Sequence, residues 1–282
     1  MGLWGFAKLI RPVNSVVAGI AVLLGYLIAE GTLAPRALVL VPVVFLITAA
    51  GNGINDYFDR EIDRINRPER PIPGGSISPA AALAFSCTLF CLGNAIAFLT
   101  GNVLLGAIAA FNSLLLVLYA ARLKGLPLLG NGSVAYLAAS IFLFGGAAAG
   151  TSGLIANLPV AAITFLAMLS REILKDAEDI NGDARGGART LPMVLGVRTS
   201  SVLALFFAFG AIFLSVLPLF PWYGAAYLGA IAPADILILA GGITGLRCVD
   251  AESIRSSRAT LFLKAGMFLA VFVFLTFAIL VG

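Results

Sequence analysis

Histidine is absent from the 282 residues, and only 11% of the side chains are charged. The absence of histidine excludes a histidine general base and any Ser/His/Asp or Cys/His catalytic arrangement. The three cysteines offer no second pair that would indicate a metal site. The small net charge of +4 carries no nucleic-acid signature. The chemistry of this protein must therefore come from a few acidic and basic residues.

The apolar content is far above that of an ordinary soluble domain, because 60% of the residues are hydrophobic and the mean hydropathy is +1.03. A bilayer core about 30 Å thick needs roughly 20 apolar residues for each helical crossing. The chain divides into nine such stretches, at 13–30, 36–58, 79–100, 102–122, 130–150, 156–178, 199–218, 222–246 and 261–281. The first stretch lacks a small-residue cleavage site and is interpreted as a retained crossing. We therefore expect an all-α, polytopic membrane bundle of about nine transmembrane helices with cytoplasmic cap loops.

The basic residues are distributed unevenly between these stretches. If the nine crossings alternate, only Arg36 falls on one side of the membrane. The other side holds Lys8, Arg11, the cluster Arg60 to Arg70, Arg122, Lys124, the group Arg171 to Arg198, Arg247, Arg255, Arg258 and Lys264. The positive-inside rule places this basic side in the cytoplasm. The pattern predicts a multi-pass protein of the cell membrane with a cytoplasmic N terminus and an external C terminus.

Two short segments concentrate the acids at the ends of predicted helices. The first acidic run, residues 55–63, contains Asp56, Asp59 and Asp63, and the second acidic run, residues 176–183, repeats this spacing in Asp176, Asp179 and Asp183. Each run leads into a loop with arginine and proline, "NRPERPIPGG" or "GGARTLP". Four crossings separate the runs, so both helices enter the cytoplasm in the same direction. A parallel four-helix duplication within a single domain, 1–282, explains this pattern and lets the two acidic ends face each other.

Acids at the end of a membrane helix are usually solvated interface residues. Aspartate, however, has the wrong sign for the C-terminal end of a helix, where the macrodipole favours cations. Asn55, Asp59 and Asp63 recur every four residues and form one stripe on a helix. A divalent cation would relieve the repulsion between clustered carboxylates, and Mg²⁺ prefers a few carboxylates together with substrate phosphates. These runs therefore indicate an Mg²⁺ site for the diphosphate of a lipid-like molecule.

The two runs also carry a family resemblance. Asn55-Asp56-x-x-Asp59-x-x-x-Asp63 followed by "RPIPGG" resembles the first signature of the UbiA superfamily of intramembrane prenyltransferases, and Asp179-x-x-x-Asp183 followed by "GARTLP" resembles its second. The stretches "RPVNS", "LYAARLKGLPLLGN" and "REILKDAEDINGD" look most like an archaeal-type branch of that superfamily. The resemblance implies Mg²⁺-dependent transfer of a polyprenyl group, geranylgeranyl in that branch, from its diphosphate to geranylgeranylglyceryl phosphate in ether-lipid biosynthesis.

The resemblance also implies roles for individual residues. The residues that would hold Mg²⁺ on the donor diphosphate are Asn55, Asp59, Asp63, Asp179 and Asp183. Asp56 and Asp176 would either bind the metal or contact its ligands. Tyr119 and Lys124 resemble a Tyr/Lys pair that contacts the diphosphate, although their spacing is longer than the common one, so that Arg122 is an alternative to Lys124.

The remaining polar residues near the runs have two interpretations each. The candidates for diphosphate binding are Arg67, Arg70, Lys175 and Arg189; the alternative for the loop arginines is lipid headgroups. Arg11 and Asn14 enter the first helix and are candidates for the acceptor's polar head, and an interhelical hydrogen bond is the alternative for Asn14. Asp235 lies near the middle of a crossing and should face the protein interior, with its role open.

Several alternatives stay open at this point. An aromatic acceptor from a quinone or chlorophyll pathway would use the same donor site. A divalent-cation transporter or channel would also carry ionisable residues in its helices, but it leaves the arginines beside the acids unexplained. The proton of the acceptor can go to an aspartate, to the released diphosphate or to water. The expected partners are a polyprenyl diphosphate, a lipid-like acceptor and the bilayer, with no nucleic acid and no obligate protein partner.

Overall fold

The computed structural model describes residues 3–185 and 187–281. Within these ranges the side chains of Leu3, Val13, Asn66, Asn181, Asp183 and Arg185 lie outside the description. The predicted metal ligand Asp183 is therefore placed by its backbone alone.

The regular elements of the described residues are all helical. In chain order they are α1 (Leu3–Leu9), α2 (Pro12–Glu30), α3 (Leu40–Phe58), α4 (Arg60–Asn66), α5 (Pro79–Leu99), α6 (Val103–Ala121), α7 (Leu129–Ala147), α8 (Gly150–Ala156), α9 (Leu158–Arg185), α10 (Leu191–Leu195), α11 (Val197–Ser215), α12 (Ala225–Leu246), α13 (Ala251–Ser257) and α14 (Ala259–Val281). Short 3-10 turns lie at Pro35–Val39 and Leu123–Gly125. The prediction of an all-α membrane protein is confirmed.

The nine predicted stretches coincide with the nine helices of 19 or more residues in the described part of the chain. Seven candidate spans are long and apolar enough to cross a membrane. An eighth candidate is the pair Gly150–Ala156 and Leu158–Ile180, which is bent by 46°. The apolar part of α2, Asn14–Glu30, is shorter than a full span. The structure thus supports seven or eight spans by length and composition, and the predicted count of nine is not confirmed.

The described residues form two compact units. The first unit extends to Leu123 and includes Ser140–Ala156. In it, α3 packs against α2, α5 and α6. Tyr26, Leu40 and Val43 are fully buried in its main hydrophobic cluster. This unit therefore places the first acidic run at the end of its central helix.

The second unit comprises Lys124–Ala139 and the chain from Asn157 onward. Here α9 packs along α11, while α12 packs along α14. Ile173, Leu174 and Leu263 are fully buried in its hydrophobic cluster. Because α9 continues without a break from this cluster to Arg185, the second acidic run is an extension of a buried helix.

Glycine allows α2 and the last turns of α7 to approach closely in the first unit. A Cβ atom built on Gly145 would lie 2.3 Å from the backbone oxygen of Val22, and one built on Gly25 would lie 2.5 Å from the backbone oxygen of Phe142. Small residues permit such backbone contacts between membrane helices. Any larger residue at either position must separate the two helices.

We predict that Gly145→Leu lowers the free energy of unfolding by about 1–3 kcal/mol or more, as expected for overpacking against backbone atoms. Thermal unfolding of the purified protein in detergent measures this change. Gly229→Leu is the matched control, because a Cβ atom at this exposed position of α12 meets no atom within 4 Å. Equal melting temperatures for the two variants would contradict the proposed close contact.

Candidate functional site

The first acidic run keeps its helical geometry where α3 meets α4. Asp59, between the two helices, has φ −80° and ψ −2°, and the N–H of Asp63 donates to its carbonyl at 2.8 Å. The side-chain amide of Asn55 donates to Oδ2 of Asp59 at 2.9 Å. Both side chains are half-buried. The Asn55 and Asp59 part of the predicted stripe therefore forms as a pair of adjacent oxygen-bearing groups.

Asp56 and Asp63 lie on a different face of the same run. They are seven residues apart, which is about two helical turns, so their side chains align. Both are buried, and Nη1 of Arg70 lies 2.5 Å from Oδ2 of Asp63 and 3.2 Å from Oδ1 of Asp56. Nη2 of Arg11 is also 2.5 Å from Oδ1 of Asp56. The structure thus divides the run into an Asn55/Asp59 pair and an ion-pair network of Arg11, Asp56, Asp63 and Arg70.

The residues just before α2 are attached to the end of α3. The carbonyl of Ile10 accepts hydrogen bonds from the side chains of Asn52 and Ser15, each at 3.1 Å. Leu9 is fully buried and packs with Ile72, Ile77 and Ala82. Arg11 has φ 46°, in the left-handed region that is unfavourable for a residue with a Cβ atom. These contacts fix the backbone around Arg11 beside the first acidic run.

Three further predicted residues of the first unit, Asn14, Arg67 and Arg122, are exposed. Asn14 lies in the first turn of α2 with an exposed side chain, which does not fit burial between helices. Arg67 follows α4 and is also exposed. Tyr119 is half-buried in the last turn of α6, and the exposed Arg122 follows that helix. Such exposure leaves the two arginines accessible to an anionic molecule.

Two acids of α9, the half-buried Asp176 and the buried Glu172, have close partners in the second unit. The side-chain amide of Asn131, which is buried in the first turn of α7, donates to Oδ2 of Asp176 at 2.7 Å. Glu172, one turn earlier, is buried beside Arg171, with Nζ of Lys175 3.8 Å from its Oε2. The sequence reasoning missed Glu172 and Asn131. The four-residue spacing from Glu172 to Asp176 is the signal that identifies the former as an extension of the run.

The side chain of Asp179, in the second run, is 45% exposed. Nη2 of Arg255, on α13, lies 3.9 Å from its Oδ1 and donates to the carbonyl of Glu178 at 3.0 Å. The hydroxyl of Thr260, on α14, donates to the carboxylate of Glu178 at 2.9 Å. At the start of α13, the N–H and hydroxyl groups of Ser253 lower the pKa of Asp250. The capped helix α13 is thereby held against the acidic end of α9.

Two loops of the second unit bring predicted diphosphate ligands together. The N–H of Arg189 donates to the carbonyl of Gly125 at 2.9 Å, which places Arg189 next to the turn that contains Lys124. Both side chains are exposed, as is that of Lys175. Lys124 and Arg189 can therefore present positive charge from neighbouring loops.

Asp235 faces the protein interior, as predicted. Its side chain is buried and accepts a hydrogen bond from the Ser215 hydroxyl at 2.8 Å. The Tyr227 hydroxyl donates to the carbonyl of Ser215 at 2.7 Å. The cluster joins the end of α11 to α12, and the Ser215 hydroxyl gives the buried Asp235 carboxyl group a hydrogen-bond partner between the two helices.

The donor atoms of the two runs fit Mg²⁺ chemistry. Among the described side chains, which exclude Asp183, no three acids are arranged as a complete metal cluster. Mg²⁺ does not need one, since it usually binds one or two carboxylates and completes its shell with water and substrate phosphates. Asn55 with Asp59 in the first unit, and the partly exposed Asp179 in the second, each supply oxygen donors of the kind that Mg²⁺ binds.

Comparison with known proteins identifies the family. The model of the UbiA prenyltransferase family matches residues 18–272, which is most of the chain. The chain belongs to the UbiA prenyltransferase family. This UbiA-family protein is therefore an enzyme, a multi-pass membrane prenyltransferase, and the family resemblance of the two acidic runs is confirmed.

Three relatives show how far this similarity extends. The digeranylgeranylglyceryl phosphate synthase of Methanoculleus marisnigri is 55% identical to this UbiA-family enzyme, over 99% of this chain and 100% of that protein. A solved structure described as giving insights into digeranylgeranylglyceryl phosphate synthase in membranes is 36% identical, with a TM-score of 0.82 and 98% of each chain covered. A UbiA homologue from Archaeoglobus fulgidus, solved with GPP and Mg²⁺, shares the fold at 17% identity, with a TM-score of 0.65, 94% of this chain and 99% of that one.

We predict that Arg70→Met lowers the free energy of unfolding by about 3 kcal/mol, because it leaves the buried carboxylate of Asp63 without its cation. The matched control is Arg64→Met, since Arg64 and its partner Glu61 are both 64% exposed. Such an exposed pair contributes about 1 kcal/mol or less. Chemical or thermal unfolding in detergent compares the two variants. Equal destabilisation would show that the network around Asp63 is no stronger than a surface ion pair.

Proposed function

We propose that this UbiA-family enzyme transfers a geranylgeranyl group from its diphosphate to geranylgeranylglyceryl phosphate, a step of ether-lipid synthesis. The observation that carries the proposal is the pair of acidic runs with identical spacing, each at the end of a long apolar helix and each beside exposed arginine or lysine. The name of the relative that is 55% identical over its whole length supports the choice of substrates.

The proposed Mg²⁺ ligands are Asn55, Asp59, Asp63, Asp179 and Asp183. Asn55 and Asp59 are already adjacent, and Asp179 is accessible. Arg70 contacts one oxygen of Asp63, and a carboxylate has a second oxygen with which it can bind a cation. The Mg²⁺ bound with GPP in the A. fulgidus homologue supports this use of a divalent metal. When bound, Mg²⁺ supplies Lewis-acid stabilisation of the charge on the departing diphosphate.

The reaction exchanges one carbon–oxygen bond for another. The bond between the allylic carbon and the diphosphate breaks, and its electron pair leaves with the diphosphate. The acceptor hydroxyl oxygen forms a new bond to that carbon, and its proton goes to an aspartate, to the diphosphate or to water. The side chains proposed to bind the diphosphate oxygens are Arg67, Tyr119, Arg122, Lys124, Lys175 and Arg189. Because charge on these oxygens grows during bond breaking, such contacts stabilise the transition state more than the bound substrate.

The acceptor is proposed to bind through its phosphate near the start of α2. Arg11 is held there by Asp56, and Asn14 is exposed one turn further on. A guanidinium group has five N–H donors, so Arg11 can contact Asp56 and a phosphate together. An aromatic acceptor is the second candidate, and the same assay distinguishes the two.

The orientation in the membrane is proposed from the charge distribution. If the nine predicted stretches alternate across the membrane, the side that holds the acidic runs also holds every Lys and Arg residue except Arg36, which favours a cytoplasmic location for that side and for the N terminus. The C terminus would then be external. Substrates with anionic headgroups would reach the acidic runs from the cytoplasmic leaflet.

We predict that the purified enzyme, supplied with geranylgeranyl diphosphate and geranylgeranylglyceryl phosphate, forms the doubly alkylated product only when Mg²⁺ is present. Removal of one transition-state contact lowers catalysis by roughly a hundredfold or more, and we expect this loss for Asp59→Ala and for Asp183→Ala. Mass spectrometry of the products, with EDTA and with aromatic acceptors in parallel, measures the outcome. Full activity in both variants, or preference for an aromatic acceptor, would reject the assignment. Arg64→Gln, which alters only an exposed ion pair, should retain wild-type activity.

We predict opposite labelling of two exposed positions in cells. In a variant whose three cysteines are replaced by serine, Thr32→Cys should react with a membrane-impermeant maleimide in intact cells, because Thr32 lies in the short connection after α2. Glu69→Cys, in the loop after the first acidic run, should react only after permeabilisation. The reverse pattern would show that the acidic runs face the exterior.

A further inference from the structure

The two units contain matching hydrogen bonds at equivalent positions. Arg11 donates to Asp56 and Asn131 donates to Asp176, and each pair is separated by 45 residues in the chain. Arg11 and Asn131 are 120 positions apart, as are Asp56 and Asp176. In each unit the donor stands at the start of a long helix, α2 or α7, and the acceptor is the first aspartate of the acidic run.

These first aspartates share a contact with the start of an earlier long helix, α2 or α7. The Asp56 side chain is only 5% exposed, and its Oδ1 accepts from both Arg11 and Arg70. The amide that contacts Asp176 is likewise buried. Asp59 is half-buried, and the Asp179 side chain is 45% exposed. The carboxylates of Asp56 and Asp176 therefore already hold the start of α2 and the start of α7.

We propose that Asp56 and Asp176 are positioning residues, which hold Arg11 and Asn131 and do not bind the metal. The inference rests on the proposed function, because the metal and the acceptor belong to it. Asp56 fixes the Arg11 guanidinium so that its remaining N–H groups face the acceptor phosphate. Asp176 fixes the start of α7, and with it the neighbouring loop that contains Lys124.

The two pairs differ in charge, and this difference gives the two units different tasks. Arg11 brings a positive charge, whereas Asn131 brings a neutral amide. The first pair therefore contributes to recognition of a second anionic group, and the second pair contributes a hydrogen bond without charge. The two members of a pair share one hydrogen bond, so loss of both should cost little more than loss of one.

A double-mutant cycle on activity tests the first pair. Asp56→Asn and Arg11→Gln should each lower kcat/KM by about tenfold, mainly through a higher KM for geranylgeranylglyceryl phosphate, and the double variant should lose no more than either single one. Arg11→Lys, which keeps a cationic donor, should recover part of the loss. The control pair is Asp56→Asn with Arg67→Gln, whose separate losses should multiply. Asn131→Ala with Asp176→Asn forms the corresponding cycle for the second unit.

Two further readouts separate positioning from the other roles of these acids. The Mg²⁺ concentration for half-maximal rate should stay within about twofold of wild type in Asp56→Asn and rise about tenfold in Asp59→Asn. Thermal unfolding of the same variants in detergent should show that the losses of Arg11 and Asp56 are not additive. This second readout does not depend on activity.

Each alternative gives a distinct result. An equal Mg²⁺ shift in Asp56→Asn and Asp59→Asn would make Asp56 a metal ligand and overturn the inference. An unchanged KM, with a rate that falls only with the folded fraction, would reduce the pair to a structural contact and overturn it as well. If the wild-type enzyme formed no product, the proposed function would fail, and additive unfolding effects of Arg11 and Asp56 would overturn the pairing independently.

Discussion

Carboxylates at the end of an apolar helix need polar partners, and the structure around the first acidic run follows from this requirement. Burying an unpaired charge is strongly unfavourable, so each buried acid needs a cation or hydrogen-bond donors. Arg70 reaches back from the following loop to Asp56 and Asp63, and Arg11 approaches from the preceding segment. The chain on both sides of α3 is thereby drawn onto the end of that helix. The Asn55 and Asp59 pair remains accessible on the other face.

The second unit meets the same requirement with different partners. Asn131 contacts Asp176, Arg171 and Lys175 lie beside Glu172, and Arg255 approaches Asp179 from α13. In both units the protein contacts its acids, and Asp59 and Asp179 keep partly exposed side chains. This division explains how a membrane enzyme can keep several carboxylates folded and still have some that bind a metal and a diphosphate.

Local patterns in the sequence predicted the long helices and the contact between Asn55 and Asp59. Apolar runs locate the long helices to within about four residues, except that α9 ends at Arg185 and not at 178, and the four-residue spacing places Asn55 beside Asp59. Contacts between distant segments could not be predicted, because no local pattern records that Asn131 meets Asp176 or that Arg255, 77 residues away, meets Glu178. The predicted count of nine spans is not confirmed, since the apolar part of α2 is shorter than a full span and α9 is bent by 46° relative to α8. The four-helix duplication stays a prediction.

The central claim is that Asp59, in the first acidic run, binds a prenyl diphosphate through Mg²⁺. Equilibrium binding of a non-hydrolysable geranylgeranyl diphosphate analogue to the purified enzyme tests this claim most directly. The account predicts tight binding in the presence of Mg²⁺, weak binding in EDTA, and a loss of about tenfold or more of the Mg²⁺-dependent affinity in Asp59→Asn. Binding of equal strength with and without Mg²⁺, or unchanged in Asp59→Asn, would contradict it.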